Sequence, residues 1–128
     1  MIKLIQFTLL TALRSINMSR FTFSNDQYEM AIGVDHITSV FIMIYDKRIE
    51  DEDEQLILQI NNLGVDAKDN VTVFNKVQLV VIEEVRQAFE IARKLGNPYP
   101  TLDKERVYAI AKAFQIPVEL RILYEILD

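Results

Sequence analysis

Apolar residues recur at intervals of three and four along much of the chain, and that spacing predicts helices. Ile2, Ile5, Leu9, Leu13 and Ile16 share one face of a first helix. Tyr28, Ala31, Ile32 and His36, then Val40, Phe41 and Ile44, fit a second over 25–45, although Val40 to Tyr45 would equally suit a buried strand by its β-branched and aromatic content. The connecting stretch Ser19 to Asn25, with its alternation Phe21-Thr22-Phe23, is open to either reading. After a polar hinge over 46–53, Leu56, Ile57, Ile60 and Leu63 predict a third helix from about Asp51 to Leu63, stopped by Gly64.

The second half is more regular. Asn70 is a suitable cap for a long fourth helix carrying Val73, Phe74, Val77, Val81, Val85, Ala88, Ala92 and Leu95 on one stripe, ended by Gly96, Pro98 and Pro100. Thr101 or Asp103 caps a fifth, with Val107, Ile110, Ala111 and Phe114 inward. Pro117 opens a sixth through Leu120, Leu123, Tyr124 and Leu127. The expected fold class is all-α: a single-domain bundle of about six helices spanning residues 1–128.

Composition agrees with that picture in one respect. A sandwich or barrel of 128 residues needs many turn residues, and this chain has three glycines and three prolines. The absence of cysteine excludes disulfides, thiolate metal sites and a cysteine nucleophile, and makes a reducing cytoplasm the expected location. Leu4 to Leu13 is apolar but lacks a small-x-small cleavage pattern after it, so it is not read as a signal peptide. The uncharged run His36 to Tyr45 is too short to cross a bilayer, and no membrane insertion is expected.

Charge narrows the partners. The net charge is −5, and the basic residues are interleaved with acids: Lys47 and Arg48 precede Glu50, and Arg86, Arg93 and Lys94 share a helix with Glu83, Glu84 and Glu90. A phosphate backbone would be repelled, so nucleic acid is an unfavoured partner. Phe114 to Pro117 has the length of a helix-turn-helix joint, but the helix after it offers Arg121 against Glu119, Glu125 and Asp128.

The five consecutive acids Glu50 to Glu54 are the most unusual local feature. Asp46, Glu50, Asp53 and Glu54 are the candidate metal ligands, since Ca²⁺ and Mg²⁺ take carboxylate oxygens, but the loop lacks EF-hand spacing. Acids in the first turn of a helix are also favoured by its dipole, and that bland reading has the greater weight. No resident cofactor is expected; a weakly held Ca²⁺ or Mg²⁺ is the one candidate. His36 is the only histidine, no Gly-x-Ser-x-Gly elbow is present, and Gly33, Gly64 and Gly96 stand singly, which excludes a phosphate loop. Catalysis would need an acid pair such as Asp35 and Asp46 to be brought together by the fold.

Two stretches share a grammar of helix, acidic turn and amphipathic helix closing on a short apolar turn. One runs from Val40 through Asp46-Lys47-Arg48-Ile49 and Glu50 to Glu54, ending at Leu63-Gly64-Val65; the other runs from Ala88 to Gly96, then Thr101-Leu102-Asp103-Lys104-Glu105, to Phe114-Gln115-Ile116. Over 28–128 this resembles the TerB (tellurite-resistance protein B) family. The resemblance matches Asp46, Ile49 and Glu50 to Glu54 to a first turn, and Leu102, Asp103 and Glu105 to a second. Lys47 stands where the family has its turn glycine, and Asn97-Pro98-Tyr99-Pro100 lengthens the second turn. An all-helical fold, a link to stress responses, acidic metal-binding surfaces and protein assembly are what it implies.

The expected function is a non-enzymatic protein-interaction or scaffolding domain with an acidic face. Glu50, Asp51, Glu52, Glu54 and the loop aromatic Tyr99 are the expected partner contacts. The alternative is an immunity or inhibitor protein whose acidic surface neutralises a basic toxin or nuclease.

Overall fold

The computed structural model describes residues 18–35, 39–68 and 73–127. The chain is α+β, not all-α. Five strands, β1 (Met18–Ser24), β2 (Tyr28–Asp35), β3 (Ser39–Asp46), β4 (Leu56–Asn61) and β5 (Gly64–Ala67), form one antiparallel sheet in the order β1-β2-β3-β4-β5. Three helices follow among the described residues: α1 (Lys76–Lys94), α2 (Lys104–Ala113) and α3 (Leu120–Leu127). The helix expected over 2–16, the cap expected at Asn70 and His36 lie outside the described residues.

In place of the helices expected over 25–45 and 51–63 stand β2, β3 and β4, with a 3-10 turn at Glu52–Glu54, which overturns the six-helix bundle and the all-helical architecture that the TerB resemblance implied. The physical reason is burial on both faces. Met30, Ala31, Ile32 and Gly33 are all buried in β2, and Phe41, Ile42 and Ile44 in β3. Such strands are apolar without alternation, so a helical spacing can be picked out of them and periodicity does not discriminate. In β4 a bulge slips the register: Ile44 opposes Leu58 while Tyr45 opposes Leu56, leaving Ile57 extra and buried. That extra residue makes Leu56, Ile57 and Ile60 imitate a helical interval.

Few glycines suffice because asparagines make the turns. Between β1 and β2 the Asn25 carboxamide oxygen accepts the backbone N–H groups of Gln27 (2.8 Å) and Tyr28 (2.7 Å). Between β4 and β5 the Asn61 side chain accepts from Leu63 N–H (2.8 Å), and Gly64, at φ 139°, supplies the backbone conformation that a side chain would resist. Gly64 therefore closes a hairpin rather than a helix.

The core lies between one sheet face and the helices. Register places Tyr28, Met30 and Ile32 beside Ile44 and Ile42, and these beside Leu58 and Ile60, on a common face. Ile82, Val85 and Phe89 of α1, Val107 and Ile110 of α2, Phe114 after it, and Leu123 of α3 pack against that face. The helical half follows the sequence closely at its ends. Asn75, rather than Asn70, caps α1 in a reciprocal box with Gln78, and Asp103 caps α2. Gly96 ends α1 at φ 100°, with Asn97 N–H donating to Ala92 O (3.0 Å) and Gly96 N–H to Arg93 O (3.1 Å). α2 ends in the same motif with Gln115 at φ 58°.

Asn25 also joins the two halves. Its side-chain nitrogen donates to Phe114 O (2.9 Å) and Gln115 O (3.0 Å), so one carboxamide satisfies a turn of the sheet and the end of α2. Along the other edge α1 packs beside β5, and an Arg93 guanidinium nitrogen lies 3.6 Å from where a Cβ on Gly64 would stand.

Candidate functional site

Asp46 ends β3 on the core face, opposite Tyr28, where a carboxylate needs a partner. The chain supplies one two residues later. Arg48 N–H (3.0 Å) and Nε (2.9 Å) both donate to Asp46 Oδ1, and Nη2 donates to Oδ2 (2.9 Å), a bidentate pairing reinforced by the turn itself. Nη2 also donates to Tyr28 Oη (3.1 Å), with the guanidinium 5.2 Å from the Tyr28 ring centroid. Gln78 Nε2 donates to the same hydroxyl (3.4 Å) while its Oε1 accepts from Asn75 N–H (2.9 Å). The start of the β3–β4 loop is thereby tied to the first turn of α1.

Burial pushes the Asp46 carboxyl pKa up. The guanidinium and backbone hydrogen bonds from Arg48, with the charges of Arg48 and Lys68, outweigh it and hold the carboxyl below the usual carboxylate value. The hydrogen bond to Asp46 raises Arg48 in turn, against a smaller effect of burial. The side chains differ in exposure, 53% for Arg48 and 8% for Asp46, so the carboxylate is enclosed and the guanidinium is its lid toward solvent.

The rest of the loop is pinned at its base and free at its crest. Asp46 N–H donates to Gln55 O (2.8 Å), Gln55 Nε2 donates to Ile49 O (2.8 Å), and half-buried Ile49 packs on the core. Above this base Glu52–Glu54 form a short 3-10 turn, for which Asp51 accepts the Asp53 N–H (3.0 Å). Glu54 pairs with Lys68 at 3.2 Å. Glu50, Asp51, Glu52 and Asp53 are exposed, and among the described residues the side chains of Glu50, Glu52 and Asp53 make no ion pair.

The four candidate metal ligands are not brought together. Asp46 is consumed by Arg48, Glu54 faces Lys68, and among the described residues no group of three or more acids and histidines is close enough to hold an ion. Of the expected partner contacts, Glu50, Asp51, Glu52 and Glu54 do share one loop. Tyr99 is exposed but follows the far end of α1, a helix of 19 residues and so about 28 Å long. Asp35 and Asp46 sit at opposite ends of the β2–β3 ladder, roughly 23 Å apart at strand rise, and form no acid pair. A depression of about 250 Å³ on the β4–β5 hairpin, lined by Gln59, Asn61, Leu63, Gly64, Val65 and Asp66, offers one carboxylate and no nucleophile beside a base.

Sequence reasoning missed Tyr28, Gln78 and Arg48 as the frame of this loop. Asp-x-Arg at a strand end was the legible signal; the other two members are joined to it only by the fold. Among the described residues no helix is long and apolar enough to cross a membrane. Comparison with family models, curated proteins and solved structures finds no match to this chain.

Proposed function

We propose that this is a non-enzymatic protein-interaction domain that presents the acidic crest of the β3–β4 loop to a basic partner surface. The observation that carries the reading is the contrast within one loop: a base locked by the Asp46–Arg48 pair and a crest on which Glu50, Glu52 and Asp53 are exposed with no ion pair among the described residues, while Glu54 beside them pairs with Lys68. Charges held on a fixed base keep their geometry and cost little entropy on binding, and they steer association with an oppositely charged surface.

The test is affinity capture on the immobilised chain, followed by binding kinetics with the recovered protein. The variant combines Glu50→Gln, Glu52→Gln and Asp53→Asn. Association should slow by about tenfold at low ionic strength and lose much of its salt dependence. Stability should change by less than about 1 kcal/mol, because these groups are solvated. Unchanged kinetics would remove the acidic crest from the interface. Recovery of a nuclease or similar toxin with a basic active site would give the same chemistry an inhibitory role.

A further inference from the structure

Beside its buried face α1 carries a second stripe, apolar but for Glu84, that the core covers only at its border among the described residues. Its buried face is Gln78, Ile82, Val85 and Phe89. Val77, Val81, Glu84, Ala88, Ile91 and Leu95 follow one another at alternating intervals of four and three, the spacing of a helix-pairing seam, within an arc of about 80°. Val77 is 63% exposed, Ile91 59% and Leu95 82%, with Val80 exposed beside them; Val81 and Ala88 are half-buried at the border with the core.

We infer that α1 pairs antiparallel with α1 of a second copy of this chain, about a two-fold axis near Arg86. The stripe is symmetric about that point. Antiparallel register sets Val77 against Leu95, Val81 against Ile91, and Glu84 against Ala88 of the other copy, so the carboxylates never oppose each other. Parallel register would stack Glu84 on its own copy. Charge favours the same choice: residues 76–85 hold Lys76 against Glu83 and Glu84, whereas 86–95 hold Arg86, Arg93 and Lys94 against Glu90. Antiparallel pairing lays the acidic half of each helix on the basic half of the other and opposes the helix dipoles. A two-fold contact of this kind uses the same patch on both copies and closes as a dimer.

Sedimentation equilibrium of the full chain tests this, with far-ultraviolet circular dichroism to confirm folding. A concentration-dependent dimer is expected. Ile91→Arg should weaken it by about tenfold or more without changing the thermal transition at concentrations where the chain is monomeric, since Ile91 is exposed in the single chain; Glu84→Leu should tighten it by a similar factor. The chain has no cysteine, so single introduced thiols report register. Gln87→Cys lies beside the axis and should be captured as a covalent dimer by a short bis-maleimide, whereas Leu95→Cys, about 27 Å from its copy along the helices, should not. Equal capture of both variants would overturn the antiparallel register. A chain that stays monomeric at millimolar concentration, or a dimer indifferent to Ile91→Arg, would overturn the pairing itself, as would a monomer whose stripe is occupied only by a different protein.

Discussion

Replacing Asp46 by Asn tests the lock under the acidic loop. Asn keeps an oxygen for the Arg48 N–H but loses the charge that Nε and Nη2 address at 2.9 Å. Hydrogen bonds to a charged group contribute about 1.5–3 kcal/mol, and the figure is discounted here because half-exposed Arg48 recovers water when released. The expected cost at neutral pH is about 1–2 kcal/mol, a fall in Tm of about 3–8 °C for a chain of this size. Arg48→Met should cost more, about 2–4 kcal/mol, because it leaves an enclosed carboxylate without its principal partner. The pH dependence follows from the depressed carboxyl. Its folded value lies below its unfolded value, so the stabilisation is complete above the unfolded pKa of about 3.9 and disappears as pH falls through the folded value. Urea unfolding from pH 7 to pH 2.5 should show a constant gap between wild type and Asp46→Asn down to about pH 5, closing below about pH 4. A gap that does not narrow as pH falls below about 4, or an Arg48→Met variant milder than Asp46→Asn, would refute the lock.

Two further substitutions probe the frame around it. Asn25→Ala removes two turn bonds and the two bonds to the end of α2, and should lower stability by about 2–4 kcal/mol, measured by denaturant midpoint; an effect near zero would separate the sheet from the α2–α3 junction. Val85→Asp places a carboxylate on the face of α1 that meets the sheet, and should abolish cooperative unfolding because the loss exceeds about 4 kcal/mol; retained native circular dichroism and a sharp transition would show that α1 can detach.

What the sequence conveyed depended on whether a signal was local. Gly96, Pro98 and Asp103 end and start helices through contacts within a few residues, and they were legible. The sheet was not, because β2 and β3 are apolar on both faces and β4 gains Ile57 at a bulge, so the alternation that distinguishes a strand was erased. The stripe on α1 left a trace: Val77, Leu79, Val80, Val81, Ile82 and Val85 are more apolar positions than a single buried face accommodates. Reading Val77, Val85 and Leu95 as members of one stripe overlooked that surplus. At the loop, the run of acids was visible and the fate of Asp46 was not, since a carboxylate beside other carboxylates reads as a ligand until its strand is shown to carry it inward.

The order of the strands in the sheet is their order in the chain, and this bears on how the molecule assembles. Every described ladder joins sequence neighbours, most across tight turns and β3–β4 across the loop 47–55, so loop closure costs little for any of them and each hairpin can form on the microsecond scale. No described strand has to await a partner from far along the polypeptide. The contacts that must wait are those of the helices, typified by Asn25 reaching Phe114 across a separation of 89 residues. The rate-limiting barrier should therefore lie in docking α1 to α3 onto a sheet already zipped, and substitutions at the helix–sheet boundary should slow folding more than those in the turns.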